Sequence, residues 1–192
     1  SLTVTNSTFA NNRATAGTGG GLYLVNVTTP TITGSAFISN TSSSAGGGIY
    51  NGGGGPIVVA NSTFATNTAP AGSAIINFGT IYLTNVTIAN NNPSSGSFYN
   101  NGTAHVRNTI MANTAGGAYD CTGLPFATNI NNLIMLRNNC SAPMIAANPA
   151  LGPLQNNGGP TATMALLAGS PAINTASGVC TAAVGAPNYG AG

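Results

Sequence analysis

Five segments of this chain are written to one plan: SLTVTNSTFANN (1–12), TITGSAFISN (31–40), IVVANSTFATN (57–67), IYLTNVTIANN (81–91) and HVRNTIMAN (105–113). Each carries alternating apolar and polar residues, then an Asn or Gly, small hydroxylated residues, one large apolar residue and a further Asn. Aligned on Asn6, Gly34, Asn61, Asn85 and Asn108, the copies step by 28, 27, 24 and 23 residues. A unit recurring every 20–50 residues or so cannot bury its apolar face alone and must stack on its neighbours, so the chain is a repeat array before any local motif is weighed.

Within each copy the alternation Leu2, Val4; Ile32; Ile57, Val59; Ile81, Leu83; Val106 predicts a short strand with one apolar face. The large apolar residue that follows occupies one stacked slot, giving a core ladder of Phe9, Phe37, Phe64, Ile88 and Met111. The Asn after it gives a turn ladder of Asn12, Asn40, Asn67 and Asn91, with Asn113 as a fifth member; stacked Asn side chains can bond to one another and to nearby backbone. A second series, Leu22, Ile49, Ile75, Phe98 and Tyr119, shortens in parallel by steps of 27, 26, 23 and 21. Two ladders that shorten together predict coils of two or three short strands each, an all-β right-handed parallel β-helix of five to six coils. The coils are expected over 1–141. An irregular, Pro- and Gly-rich segment over 142–192 is expected to cap the last coil within the same domain. The glycine runs 19–21, 46–48 and 52–55 recur at the coil period with no helix or Lys after them, which reads as tight corners rather than a phosphate cradle.

Charge removes several function classes. Only 2% of residues are charged, with three Arg, one Asp and a net charge of +2, against about 25% in an ordinary domain. No basic stripe exists to hold nucleic acid, and no apolar run reaches the 18 or so residues of a membrane span. Glycoside hydrolysis needs two carboxylates, and lyase chemistry needs a base with calcium held by several more; the chain offers Asp120 alone. A Ser-His-Asp triad would have to use His105 and Asp120, and the alternation around Val106 points His105 outward. No catalytic residue, metal site or cofactor is therefore expected.

The later part of the chain carries HVRNTIMAN, DCTG (120–123), NLI (132–134), Cys140 and NPALGPLQNNGGPTATMALLAGSPAIN (148–174). This run resembles the choice-of-anchor Q β-helix proteins of bacteria. The resemblance implies an exported right-handed β-helix held at the cell surface, with no defined activity. The chain departs from that pattern at Met164, Asn174 and Ala182–Gly185, each a neutral residue where the family carries a polar or charged one. In an exported chain Cys121 and Cys140, 19 positions apart and so on adjacent coils, are expected to form a disulfide; Cys180 is left over, with its partner in the family pattern further on.

Seven N-x-S/T sequons, at Asn6, Asn26, Asn40, Asn61, Asn85, Asn101 and Asn139, are possible glycosylation sites. Most lie in the repeat consensus, where Asn and Thr are also wanted for turns. The chain starts inside a coil and has almost no charge to repel a neighbour. The expectation is therefore a non-enzymatic extracellular structural protein whose rods associate end to end into a filament or surface layer. The alternative is a monomeric adhesin or glycan-binding module, with Tyr23, Tyr50, Tyr82 and Tyr99 available to cell-surface sugars.

Overall fold

The computed structural model describes residues 2–175. They form a parallel β-solenoid of about six turns with a small antiparallel hairpin on its flank. Each coil runs through as many as four faces. The first face stacks Thr3–Thr5, Thr31–Thr33, Ile57–Ala60, Thr80–Thr84, Thr103–Arg107 and Thr128–Ile130; the second stacks Thr8–Ala10, Ala36–Ile38, Thr63–Ala65, Thr87–Ala89, Ile110–Ala112 and Leu133–Ile134. The third is shorter, with Arg13–Ala14, Thr41–Ser42, Thr68–Ala69 and Asn92–Pro93. The fourth stacks Leu22–Leu24, Ile49–Asn51, Ile75–Asn77, Gly96–Asn100, Tyr119–Gly123 and Arg137–Asn138. Five steps of about 4.8 Å separate the first coil from the sixth by about 24 Å.

The repeat consensus is a corner code. The residue used to align the copies turns the chain from the first face to the second, and it is left-handed in every coil: Asn6, Gly34, Asn61, Asn85, Asn108 and Asn131, with φ between 47° and 56°. Asn and Gly tolerate that conformation where most residues do not. The next corner is left-handed too, at Asn11, Ser39, Thr66, Asn90 and Asn113. Asn113 is thus a corner residue and not the fifth rung of the Asn ladder. Since Ala89 pairs with Ala112, the position level with Asn91 is Thr114.

The coils shorten because one corner contracts. Residues 25–30 and 52–56 join the fourth face to the next coil in the first two turns, whereas residues 78–79 and 101–102 suffice in the next two. The larger corners stack on each other through a Val27–Gly54 bridge, so the change of period leaves the four faces in register.

Register defines the core. Val4, Ile32, Val59, Leu83 and Val106 stack on the first face, and Phe9, Phe37, Phe64, Ile88, Met111 and Ile134 on the second. The rings of Phe9, Phe37 and Phe64 lie face to face, with centroids 4.8 and 4.7 Å apart. Full burial of each such ring contributes about 2–3 kcal/mol, and each stacked pair about 1 kcal/mol more. The fourth-face ladder runs Leu22, Ile49, Ile75, Phe98 and then Cys121. Tyr119, expected as its last rung, pairs with Gly96 instead and is exposed. The 3₁₀ turn Ala115–Gly117 delays the chain there by two residues.

The C-terminal segment does two jobs. Residues 140–146 cross the last coil: Cys140 is bridged to Cys121, the Phe126 amide donates to Ser141 Oγ, Asn129 Nδ2 donates to the Ala142 carbonyl, and Ile145 pairs with Leu133. The hairpin of Leu151–Gln155 and Thr163–Leu166, expected with the rest of 142–192 to cap that coil, lies along the second face instead. Met164, with Leu151 and Leu154, packs on Ala65 and Ala89, and Thr161 Oγ1 donates to the Gly34 carbonyl. The small outward residues of the second face leave the space that the hairpin fills.

Candidate functional site

The ladder Asn12, Asn40, Asn67 and Asn91 is a continuous amide chain. The Nδ2 of Asn12, Asn40 and Asn67 each donates to the Asn Oδ1 of the next coil at 2.9–3.0 Å. The backbone amides of Asn12, Asn40 and Asn67 donate to the same oxygens. The second Nδ2 proton of Asn40, Asn67 and Asn91 reaches back to the carbonyls of Phe9, Phe37 and Phe64. A buried amide is tolerated only when both its donors and its acceptor are matched, and here they are. Gly21 is held to glycine for a steric reason: a Cβ there would stand 2.6 Å from the Gly48 carbonyl oxygen and 3.0 Å from Phe37 Cδ1, with Asn40 Cγ at 3.4 Å.

The ladder ends at Asn91, whose other Nδ2 proton goes to the Ala89 carbonyl, and Asp120 serves the position one coil below it. Its Oδ1 accepts from the Thr114 amide at 2.9 Å and from Thr114 Oγ1 at 2.5 Å, and its Oδ2 accepts from the Leu136 amide at 2.8 Å. It supplies to Thr114 the oxygen that Asn91 supplies to Asn67. Burial raises its carboxyl above the ordinary carboxylate range, against the opposing pull of the Thr114 and Leu136 hydrogen bonds.

Two polar series escaped the reading of the sequence. Asn51, Asn77 and Asn100 form a second amide chain on the fourth face, with Nδ2 to Oδ1 distances of 2.6 and 2.8 Å. Their spacing of 26 and 23 residues copies the fourth-face ladder and was there to be found. Ser35, Ser62, Thr109 and Asn132 accept amide protons from the coil above, from Ser7, Ser35, Val86 and Thr109 respectively.

His105 lies on the first face, stacked on Tyr82 with centroids 4.6 Å apart, its Nδ1 2.8 Å from Thr128 Oγ1. Burial, and then the Arg107 charge, hold it below the ordinary imidazole range. Asp120 stands on the fourth face, and no hydrogen bond or ion pair joins the two among the described residues. The described residues contain no cluster of three His, Cys, Asp or Glu that could hold a metal.

The sequons divide by environment. Asn6, Asn26, Asn61, Asn101 and Asn139 are exposed; Asn85 is half-buried and donates to Asn61 Oδ1 at 2.9 Å. Asn40 is fully buried inside the amide ladder, so the fold withdraws it from the possible glycosylation sites. Tyr23, Tyr50 and Tyr99 share one ladder position on the fourth face, and Tyr82 stands on the first. Tyr23 and Tyr50 stand face to face, 5.2 Å apart, and present their edges outward; Ile76 separates them from Tyr99, and Tyr82 is covered by His105. Sugar rings stack on aromatic faces, which this ladder mostly uses on itself.

Two concavities stand out among the described residues. One of about 180 Å³ lies between the hairpin and the second face, lined by Leu133, Ile145 and Leu166 among others. The other, about 520 Å³, opens below the last strand of the third face, between Asn92–Ser95 and the 115–119 turn, with Thr122 and Asn138 at its floor.

Cys121 and Cys140 form a disulfide with Cα atoms 6.2 Å apart, which indicates an oxidising environment such as the extracellular space. No helix among the described residues is long and apolar enough to cross a membrane. Cys180 and Ala182–Gly185 lie outside the described residues. Against protein-family models, curated proteins and solved structures the chain gives no significant match.

Proposed function

We propose that this chain is a non-enzymatic structural protein of the extracellular space or cell surface: a right-handed β-helix rod whose coils associate end to end into a filament or surface layer. The observation that carries the reading is the use made of Asp120. It is the chain's only acidic side chain, and both its oxygens are taken up by internal hydrogen bonds from Thr114 and Leu136. A hydrolase or lyase of this architecture would need carboxylates free to face a substrate. Right-handed winding is the hand that parallel crossovers take in nearly all cases, and the resemblance to choice-of-anchor Q proteins supports export from a bacterial cell.

The two ends differ in what they offer a neighbour. The last coil is crossed by residues 140–146. On the first coil, Thr3–Thr5, Thr8–Ala10, Arg13–Ala14 and Leu22–Leu24 are edge strands, with Phe9 and Leu22 only partly covered. Edges of this kind template pairing with a further strand, and with 2% of residues charged little opposes the approach of a second copy. Electron microscopy and light scattering of the purified protein test the reading. Concentration-dependent rods longer than one solenoid, with no turnover of a polysaccharide panel, are the expected result. Monodisperse monomers at millimolar concentration, or an edge covered by preceding residues of a longer chain, would refute assembly; glycan cleavage lost in Asp120→Asn would refute the non-enzymatic part.

A further inference from the structure

The third face stops two coils before the others. Its last strand, Asn92–Pro93, has no partner below it, and the chain passes that level as the 3₁₀ turn Ala115–Gly117. The groove of about 520 Å³ is the room left by the missing strand, and its volume falls within the range of about 300–1,000 Å³ typical of small-molecule sites.

Its lining differs in kind from the rest of the coil surface. Tyr119 pairs with Gly96, a residue without a side chain, so its ring has no aromatic neighbour among the described residues and stays exposed. Thr122 and Asn138 hold successive positions of the fourth face on the floor, and Asn92 and Ser94 hang from the third-face edge. None of these polar side chains forms a hydrogen bond with another described residue. Amides and hydroxyls that are saturated along the inner ladders are here uncommitted and turned toward one space. No charged residue lines it.

We propose that this groove binds a neutral saccharide. The electron-rich face of an unpartnered tyrosine suits the apolar C–H face of a pyranose. Hydroxyls that both donate and accept match a wall of neutral amides and hydroxyls in the same dual role. A carboxylate or phosphate ligand would find no cation. An extended peptide would find an edge strand of two residues, one of them Pro93 without an N–H. The site is distinct from the stacked ladder of Tyr23 and Tyr50, and the proposal stands apart from end-to-end assembly.

The test is titration of the isotope-labelled protein with neutral hexasaccharides of glucose, mannose and galactose, with hexagalacturonic acid as the charged comparator. Saturable NMR shifts confined to Tyr119, Thr122, Asn138 and their neighbours are expected with at least one neutral probe. Tyr119→Ala should weaken that binding at least tenfold and Thr122→Val, which keeps the shape, several-fold. Tyr23→Ala should leave it unchanged, and all three variants should keep the native melting cooperativity. Absence of saturable binding by every neutral probe, full binding by Tyr119→Ala, or tighter binding of the acidic probe would each overturn the proposal.

Discussion

The upper coils and the fifth coil are built from the same residue types and use them in opposite ways. Around Asn40 and Asn67 every amide proton and acceptor is matched within the solenoid, and both side chains are fully buried. Below Asn91 the third face and the amide chain both end, Asp120 accepts from Thr114 and Leu136 instead, and Thr122 and Asn138 carry polar groups that no described residue satisfies. Periodicity saturates polar groups because each coil presents to the next what the previous one presented to it. Where the period breaks, the same chemistry is released to solvent or to a ligand.

The sharpest way to break the comparison is to cut the ladder where it is saturated. Asn67→Ala removes the acceptor of the Asn40 amides and the donor to the Phe37 carbonyl. Unmatched buried groups cost about 1–3 kcal/mol each, so a loss of about 3 kcal/mol is expected in urea titrations. An effect below about 1 kcal/mol would mean that water enters the ladder. Reduction of the Cys121–Cys140 bridge is next in size. Its 19-residue separation corresponds to about 3 kcal/mol at most in the chain-entropy account, usually less in practice. Hydrogen exchange should show the loss concentrated in residues 119–146, with the first four coils holding their protection; uniform loss would make the solenoid one cooperative unit.

Most of the architecture could be read from the spacing, because left-handed corners need Asn or Gly and core slots need large apolar residues. Asn6 through Asn108 and Phe9 through Met111 declare both. The errors lie where the period fails. Tyr119 stands two positions from the slot that the spacing predicts because a 3₁₀ turn inserts residues that no composition signal marks, and Asn113 stands one position from its slot because two adjacent slots both favour Asn. The hairpin's position on Ala65 and Ala89 depends on long-range packing, to which neither period nor turn chemistry speaks. The groove was illegible for a related reason: it is a strand that does not occur.

Asp120→Asn tests the junction itself. An amide in place of the carboxylate presents a donor where an acceptor stood and forfeits one of the hydrogen bonds from Thr114 or Leu136, a cost of about 1 kcal/mol. The pH dependence carries more information. Because burial raises the carboxyl, the folded state holds its proton to higher pH than the unfolded state does. Stability contributed by the protonated acid is therefore lost as pH rises from about 4, the ordinary carboxylate value, through the raised one. The melting temperature of the native protein should fall relative to Asp120→Asn across that interval. A difference between the two that is flat with pH would place the carboxyl in contact with water.

The smallest effect is expected on the other side of the comparison. Asn138→Ala removes an amide that is exposed and bonded to no described residue. Surface substitutions of this kind move stability by less than about 0.5 kcal/mol, although Asn138 belongs to the same face as Asn51, Asn77 and Asn100 and is level with Thr122. Differential scanning calorimetry of Asn138→Ala beside Asn77→Ala sets the two against each other within one face. Asn77 donates to both Asn100 Oδ1 and the Gly79 carbonyl and accepts from Asn51, so its loss should lower the midpoint by many degrees while Asn138→Ala leaves it in place. Equal effects would show that the fourth face draws its stability from the amide type and not from the ladder. In that case the polar groups of the groove would be structural after all.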